Sequence, residues 1–562
     1  MDIQRYLLIG ASIVLGVMLL GEWTAFKEAN QTPVERARLA TNDATDASAI
    51  NAANSSLPND ADSSLDLPDV TVDATTTPVQ TTSGNLVTVK TDTLEVVIDL
   101  QGGDIIETAL PAFPDTIDNP DVPFVILEQN DSRTYIAQSG FVGKDGFDVP
   151  TRAQYRADSV LYTQTNNEPL QVPLNLVNED AGVQVVKIFT FTPGSYLIDV
   201  SYIIRNNGSS RWEATPFAQL KRDSSLPPAA DTSGFGMQPF LGAATTTTAD
   251  RFKKFSFTDL ADESWKTSQQ GAWIAMLQHY FLSAWVPSSE HTHNYFARQT
   301  ATGFNLAGFT SSSIKVDPGK EGHYSAQLYV GPKDQYALAT ISPHLELTVD
   351  YGWLWWIAQP LFWLLTKIQS MVSNWGVAII LLTVLVKGAF FQLSAASYKS
   401  MAKMRKVQPK MQSIREQYAD DKQKQSQAMM ELYKKEKINP MGGCLPILIQ
   451  MPVFIALYWV LMESVELRQA PFALWIDDLS VMDPYFVLPL LMGASMFFMQ
   501  KLNPPPPDPM QAKIMQWLPV VFTFFFLWFP AGLVLYWVVN NLLSMAQQWV
   551  ITRRIEREGG KA

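Results

Sequence analysis

The sequence predicts a membrane α-helical protein with six transmembrane helices and a large periplasmic all-β sandwich domain, and three features carry that prediction. The 562 residues average 47% hydrophobic and 17% charged, but the average hides a polar N-terminal two thirds and a strongly apolar C-terminal third. From Leu86 to about Val349, alternating runs such as LVTVKTDTLEVVIDL, VVKIFTFTP, YLIDVSYIIRN and YSAQLYVGP are separated by Gly, Pro, Asn and Asp, which is the period-2 pattern of half-buried strands. The loops between the later apolar runs alternate between basic and acidic, as the positive-inside rule requires.

Taken in order, residues 1–26 hold an apolar run, Tyr6 to Leu20, behind Arg5. No small-x-small cleavage site follows directly, so an uncleaved transmembrane anchor is expected rather than a signal peptide. Residues 27–84 are rich in Thr, Asp, Ala, Asn and Ser and read as a flexible acidic linker, with too little apolar surface to offset the entropy of ordering. Ten acids between Glu22 and Asp73 face only Lys27, Arg36 and Arg38 and supply much of the net charge of −12, which argues against nucleic-acid binding there. Residues 85–349 form the periplasmic β-sandwich. The single cysteine, Cys444, excludes an intramolecular disulfide, so this domain must be stabilised by its own core. All five histidines lie in it, and His291 with His293, lacking a third ligand nearby, is a weak metal signal. Residues 350–370 are dense in tryptophan and broken by Gln359-Pro360, as expected of an amphipathic helix lying in the interface.

Residues 371–396 are the second transmembrane helix, and 397–440 a cytoplasmic helical hairpin. Met401, Met404, Val407, Met411, Ile414 and Tyr418 recur at three- or four-residue spacing before Asp420-Asp421, and Met429, Met430, Leu432 and Tyr433 follow. Such a stripe is either hairpin core or an adaptable surface for apolar clients, and Met401, Met404, Met429 and Met430 are the candidates for client capture. Residues 441–552 carry transmembrane helices 3–6, at about Cys444 to Met462, Tyr485 to Met499, Ile514 to Phe529 and Gly532 to Ile551. Residues 553–562 are a short basic tail, so both termini are expected in the cytoplasm.

Within the run Trp375 to Leu393 sits Lys387, with no Asp or Glu in the run and none in the middle of another span. A lysine near mid-membrane costs about 2.5–3.5 kcal/mol, so the charge needs water or a partner from outside. On one straight helix Thr383, Lys387 and Ser394 share a face and form a polar stripe. The alternative is a lysine snorkelling to the cytoplasmic headgroups. Asn540, Ser544 and Gln547 recur at i, i+4 and i+7 in the last span and either face the same hydrophilic groove or pack helix to helix.

KINPMGGCLPILIQMPVFIALYWVL (Lys437 to Leu461), VELRQAPFALWIDDLS (Val465 to Ser480), DPYFVLPLLMGASMFFMQ (Asp483 to Gln500) and FFFLWFPAGLVLYWVVNN (Phe524 to Asn541) closely resemble the YidC/Oxa/Alb family of membrane protein insertases, in the Gram-negative form with a large periplasmic domain. The likeness runs from about Trp353 to the C-terminus, with a looser echo of the family's β-supersandwich at QGGD (Gln101 to Asp104). It implies an insertase and chaperone of the inner membrane whose five C-terminal spans form the insertase core around a positively charged hydrophilic groove, acting alone or with the Sec translocon on nascent membrane proteins. Lys387 stands at the position where the family usually has arginine, which keeps the charge and loses the bidentate fork. Thr383 matches a neighbouring groove position, and Met451, Pro452, Phe454, Phe525 and Trp537 match positions lining the client path, Trp537 where tyrosine is common. The short tail gives only weak support to ribosome binding.

No nucleotide, other cofactor or metal is expected, no G-x-x-x-x-G-K-[ST] loop is present, and the chain is not read as an enzyme, since every histidine precedes the membrane block. The rival readings are an ion or solute transporter and a carbohydrate-binding envelope protein. The first lacks paired inverted repeats and an intramembrane carboxylate. Because the spans, the charge and the Met-rich hairpin all lie outside it, the periplasmic domain is expected to be largely dispensable for insertion.

Overall fold

A computed structural model describes residues 85–165, 167–177, 182–227, 239–418, 421–436, 445–502 and 509–559. The expected N-terminal anchor and acidic linker, and the glycines at 442–443, lie outside the described residues.

Among the described residues, the β domain is two packed sheets of eleven and nine strands. The second of the alternating sequence runs becomes the strand Val183–Phe191, in which Val183, Val185, Phe189 and Phe191 turn inward. The long antiparallel pairing of Leu197–Asn206 with Glu321–Pro332 fixes the register of the same sheet. Alternation also turns Lys187 into the core, where it is 0% exposed. Its ammonium donates to the carbonyls of Gly102 at 3.2 Å, Gly103 at 2.7 Å and Ser139 at 3.1 Å. Gly102 and Gly103 have φ of +88° and +58°, a left-handed turn that glycine adopts at no steric cost and that presents both carbonyls inward. In the same QGGD turn Asp104 pairs with Arg152, which reaches Asp148 at 2.6 Å with its other arm. A buried lysine and arginine are thus answered by two carboxylates and three carbonyls between the sheets.

Eight helices carry the rest of the described chain: α1 (Trp355–Val372), α2 (Trp375–Ala389), α3 (Phe391–Gln417), α4 (Lys422–Lys435), α5 (Leu445–Glu463), α6 (Val487–Leu502), α7 (Pro509–Phe525) and α8 (Ala531–Gly559). Residues of α1, α2, α5, α6 and α8 share one apolar core that includes Phe362, Ile379, Leu457, Met492 and Val534. The apolar run around Lys387 is not one straight rod: α2 ends at Ala389, and α3 leaves at 67°. Fifteen residues of α2 rise about 22 Å, short of the roughly 30 Å of a hydrocarbon core. Among the described residues no single helix is long and apolar enough to cross a membrane, and one bent pair, Trp375–Ala389 with Phe391–Met401, meets that test together. The expected hairpin is present as α3 and α4, with Val407, Met411 and Leu432 buried in its seam and Met404, Ile414, Met429 and Tyr433 packed against them. Its first arm starts at the bend itself, at Phe391, rather than at residue 397.

The β domain is docked on the helices. Val465, just past α5, is buried within the β-domain core. The Arg468 guanidinium lies 5.1 Å from the Phe124 ring centre and 5.5 Å from that of Phe281, and it donates to the carbonyls of Pro114 at 2.8 Å and Asp115 at 3.0 Å. Lys333 reaches Glu463, the last residue of α5, at 3.5 Å with both side chains buried. His279 Nε2 meets the Met462 carbonyl at 2.7 Å, and since a carbonyl only accepts, Nε2 carries the proton. Burial, then the positive charges of Lys333 and Arg468, push His279 down to about 3, so the ring is neutral in the fold.

A histidine whose folded pKa is depressed binds its proton first in the unfolded chain. The stability linked to His279 is therefore complete above about pH 6.5 and is lost as pH falls toward 3. His279→Gln keeps an N–H for the Met462 carbonyl at every pH. Between pH 7 and pH 5 the wild type should lose about 1–2 kcal/mol more stability than this variant, as read by denaturant titration of the full chain at both pH values.

Candidate functional site

Lys387 lies in the last turn of α2 and turns its ammonium into the helical core. Nζ donates to Ser544 Oγ of α8 at 2.8 Å and to Gln450 Oε1 of α5 at 3.1 Å. Gln450 spends its amide on the same α8, donating to Asn540 Oδ1 and, at 3.4 Å, to the Tyr536 hydroxyl. Ser544 passes its own proton to the Asn540 carbonyl at 2.6 Å. Tyr536, Asn540 and Ser544 can share this task because four-residue spacing stacks them on one face of α8. Three helices therefore meet on one cation. Among the described residues its hydrogen-bond partners are neutral oxygens, and those two bonds use two of its three N–H donors. Both contacts of the side chain cross to neighbouring helices.

Other residues singled out in the sequence lie around this cluster in different ways. Thr383 is 1% exposed and bonds back to the Ile379 carbonyl of its own helix at 2.7 Å, outside the Lys387 network. Ser394 is buried but lies beyond the 67° bend, so the stripe expected on one rod is divided between two helices. Gln547 donates to the Phe391 carbonyl at 3.1 Å and so ties α8 to the bend rather than to Lys387. Met451, next to Gln450, is 43% exposed. Pro452 lies inside α5, where its missing N–H leaves the carbonyl four residues back without a helical donor. Phe454 meets Trp537 edge-on at 4.4 Å and stacks on Tyr536 at 6.1 Å. Trp537 also faces Phe526 at 5.2 Å, and its indole N–H is buried with no hydrogen-bond partner among the described residues. Phe525 is 44% exposed and leans on Phe529 at 4.9 Å. Met430 is 42% exposed on the hairpin and Met401 is half-buried, whereas Met404 and Met429 pack in its seam.

Gln450 and Tyr536 are the members of the cluster that the sequence reading missed. The signal for Gln450 was a lone amide in the apolar run LPILIQMPVF, and that for Tyr536 its place four residues before Asn540. A second polar contact, Asn541 Nδ2 to Ser495 Oγ at 2.9 Å, joins α8 to α6 from the next position along α8.

Gln450→Leu should remove one acceptor from the half-buried ammonium and the donor to Asn540, lowering stability by about 1–3 kcal/mol. Adding Lys387→Met should restore part of that loss, because an apolar pair leaves fewer unpaired groups. Thermal denaturation of the single and double variants in detergent checks the coupling.

Residues 367–558 match the family model described as the 60Kd inner membrane protein, and residues 86–364 match that of the YidC periplasmic domain. The membrane protein insertase YidC of Pseudomonas fluorescens is 50% identical over 567 residues, covering 100% of this chain and 100% of its own. That of Azotobacter vinelandii is 49% identical over 561 residues, with 99% of each chain covered. A crystal structure of an active YidC insertase with its first transmembrane domain resolved is similar over 83% of this chain and 92% of its own, at 19% identity and a TM-score of 0.37.

Proposed function

The chain belongs to the family of the membrane protein insertase YidC, and on that premise we propose that the Lys387 cluster is where a client's polar flank is drawn into the bilayer. The protein is an inner-membrane insertase with an all-β periplasmic domain, and its activity is transfer rather than bond chemistry. In the proposed arrangement six spans, the N-terminal anchor with α2, α5, α6, α7 and α8, cross the membrane, and both termini and the α3–α4 hairpin are cytoplasmic. The outward faces support this reading. Leu381, Val384 and Leu385 on α2, and Leu490, Leu491 and Phe498 on α6, are exposed where a water-facing helix would be polar.

The observation that carries the mechanism is a cation held at the junction of three helices with no carboxylate in its network among the described residues. Placing an Asp at the centre of a transmembrane helix costs about 2.5–3.5 kcal/mol. A client carboxylate about 4 Å from the ammonium gains about 4 kcal/mol at an effective dielectric of about 20, enough to offset one such acid. Neutral partners orient Lys387 without cancelling its charge, and the third N–H, with no partner among the described residues, is left for water or client. Apolar client residues then leave sideways into lipid, each buried CH₂ contributing about 0.8 kcal/mol. Met451, Pro452, Phe454, Phe525 and Trp537 form the apolar side of that path. Nascent membrane proteins are the clients, with the Sec translocon a partner for some and the ribosome a weaker candidate.

Lys387→Arg should retain insertion, Lys387→Ala should be intermediate, and Lys387→Glu should fail for clients with acidic translocated segments because the attraction changes sign. Complementation of a depletion strain reads all three, and full activity of the Glu variant with acidic clients would remove the electrostatic role.

Client capture by the hairpin falls to the methionines outside its seam. Site-specific crosslinks to a stalled nascent chain should be stronger from Met430 than from Met404 or Met429. Equal yields at all three would assign capture to a hairpin that opens, and absence of adducts, with adducts still formed at Met451, would leave the hairpin a structural element.

A further inference from the structure

The loop between α5 and α6 divides into two halves that face different surroundings. Residues 464–470 sit in the β domain through Val465 and Arg468. Residues 471–486 fold back on the helices and present Leu474, Val481 and Tyr485 outward at 87%, 51% and 67% exposure. Leu474 occupies the left-handed region at φ +60°, a conformation that favours Gly or Asn, so backbone strain and an exposed apolar side chain coincide at one residue.

This half-loop is held firmly. The Phe472 N–H donates to the Ile476 carbonyl at 2.9 Å and that of Ile476 to the Ala473 carbonyl at 3.2 Å, closing a turn with Leu474 at its tip. Asn374, the N-cap of α2, donates to the Phe472 carbonyl at 2.9 Å, and the Phe472 ring packs so closely on Gly376 that no Cβ would fit there. Asp483, fully buried, accepts from the Trp475 indole at 3.0 Å and from the Leu488 N–H at 2.7 Å, so the turn and the start of α6 are fixed together. The Val481 carbonyl accepts from Ala531 at 2.7 Å, which ties the loop to the start of α8. The outward apolar side chains are therefore displayed by a rigid frame.

We propose that residues 471–486 form a lipid anchor, with Leu474, Val481 and Tyr485 seated in the periplasmic leaflet of the membrane. Continuity identifies the occupant: the loop sits between the exposed apolar faces of α2, at Val377 and Leu381, and of α6, at Leu490 and Leu491. Tyr485 adds an aromatic ring with a polar tip, suited to headgroup depth. PFALWIDDLSVMDPYF contains no Lys or Arg, and its acids Asp477 and Asp478 would repel anionic headgroups, so hydrocarbon burial beside zwitterionic lipid is the chemistry on offer. The inference rests on α2 and α6 crossing the bilayer.

The test places an environment-sensitive fluorophore on Leu474→Cys in a Cys444→Ser background, in the full chain, at one protein per zwitterionic nanodisc. Leu491→Cys on α6 serves as the membrane reference and Asp131→Cys in the β domain as the water reference. Emission at position 474 should be blue-shifted relative to 131 and quenched by headgroup-proximal spin-labelled lipid to an extent close to that at 491. Water-like emission at 474 with a dry label at 491 overturns the anchor alone. A blue-shifted label at 474 that lipid does not quench also overturns it and assigns the patch to protein contact. A water-like label at 491 overturns the span reading and the anchor with it.

Discussion

A lysine ammonium enclosed by helices and answered by an amide oxygen and a hydroxyl is the constraint on which the helical half of this molecule depends. An ion pair would have satisfied the charge and silenced it; neutral dipoles satisfy it in part and leave its field intact. The arrangement explains why α2, α5 and α8 each contribute a polar residue at the same place, and why four-residue spacing recurs along α8. Polar residues from three helices meeting at one point also fix the rotation of each helix about its axis, which apolar packing alone specifies poorly.

The β domain meets a second buried lysine with a different solution. Lys187 is surrounded by carbonyls from the QGGD turn and a neighbouring strand, beside an arginine bound to two carboxylates. There every donor is directed at protein, as suits a group that holds two sheets together and need not attract anything. The contrast between Lys187 and Lys387 lies in what is left over: one is enclosed by its own domain, the other retains capacity to bind. The expectation that the domain is dispensable for insertion rests on the spans, the charge and the hairpin lying outside it. The chain past α5 enters the β-domain core at Val465 and is held there by Arg468 and His279. Removing the domain would bare those partners on a loop that also caps α6.

Much of this was legible in the sequence because it depends on local period. Alternation gave the strands, and three-four spacing gave the hairpin stripe, although it left open whether Met404 and Met429 face clients or, as in the structure, the seam. The Lys387 charge was legible from its apolar surroundings. What escaped depends on long-range geometry. The bend at Phe390 separates Ser394 from Lys387, yet no proline marks it, and the run on either side is apolar enough for one helix. Gln450 was passed over because a single amide in an apolar run has no meaning until a second helix brings a charge to it. Thr383 and Gln547 had the right spacing, but their hydrogen bonds go to nearby carbonyls, a choice that pattern does not encode.

The bend at Phe390 has a mechanical consequence. The 27 residues of α3 make an arm about 40 Å long, interrupted by the missing N–H of Pro409, that begins four positions after Lys387. Gln547 of α8 grips the carbonyl of the arm's first residue. A rigid tilt of the arm about this bend would displace its far end much more than its root beside Lys387. The hairpin and the charge are thereby linked through one joint, whose place is set by where the helix breaks.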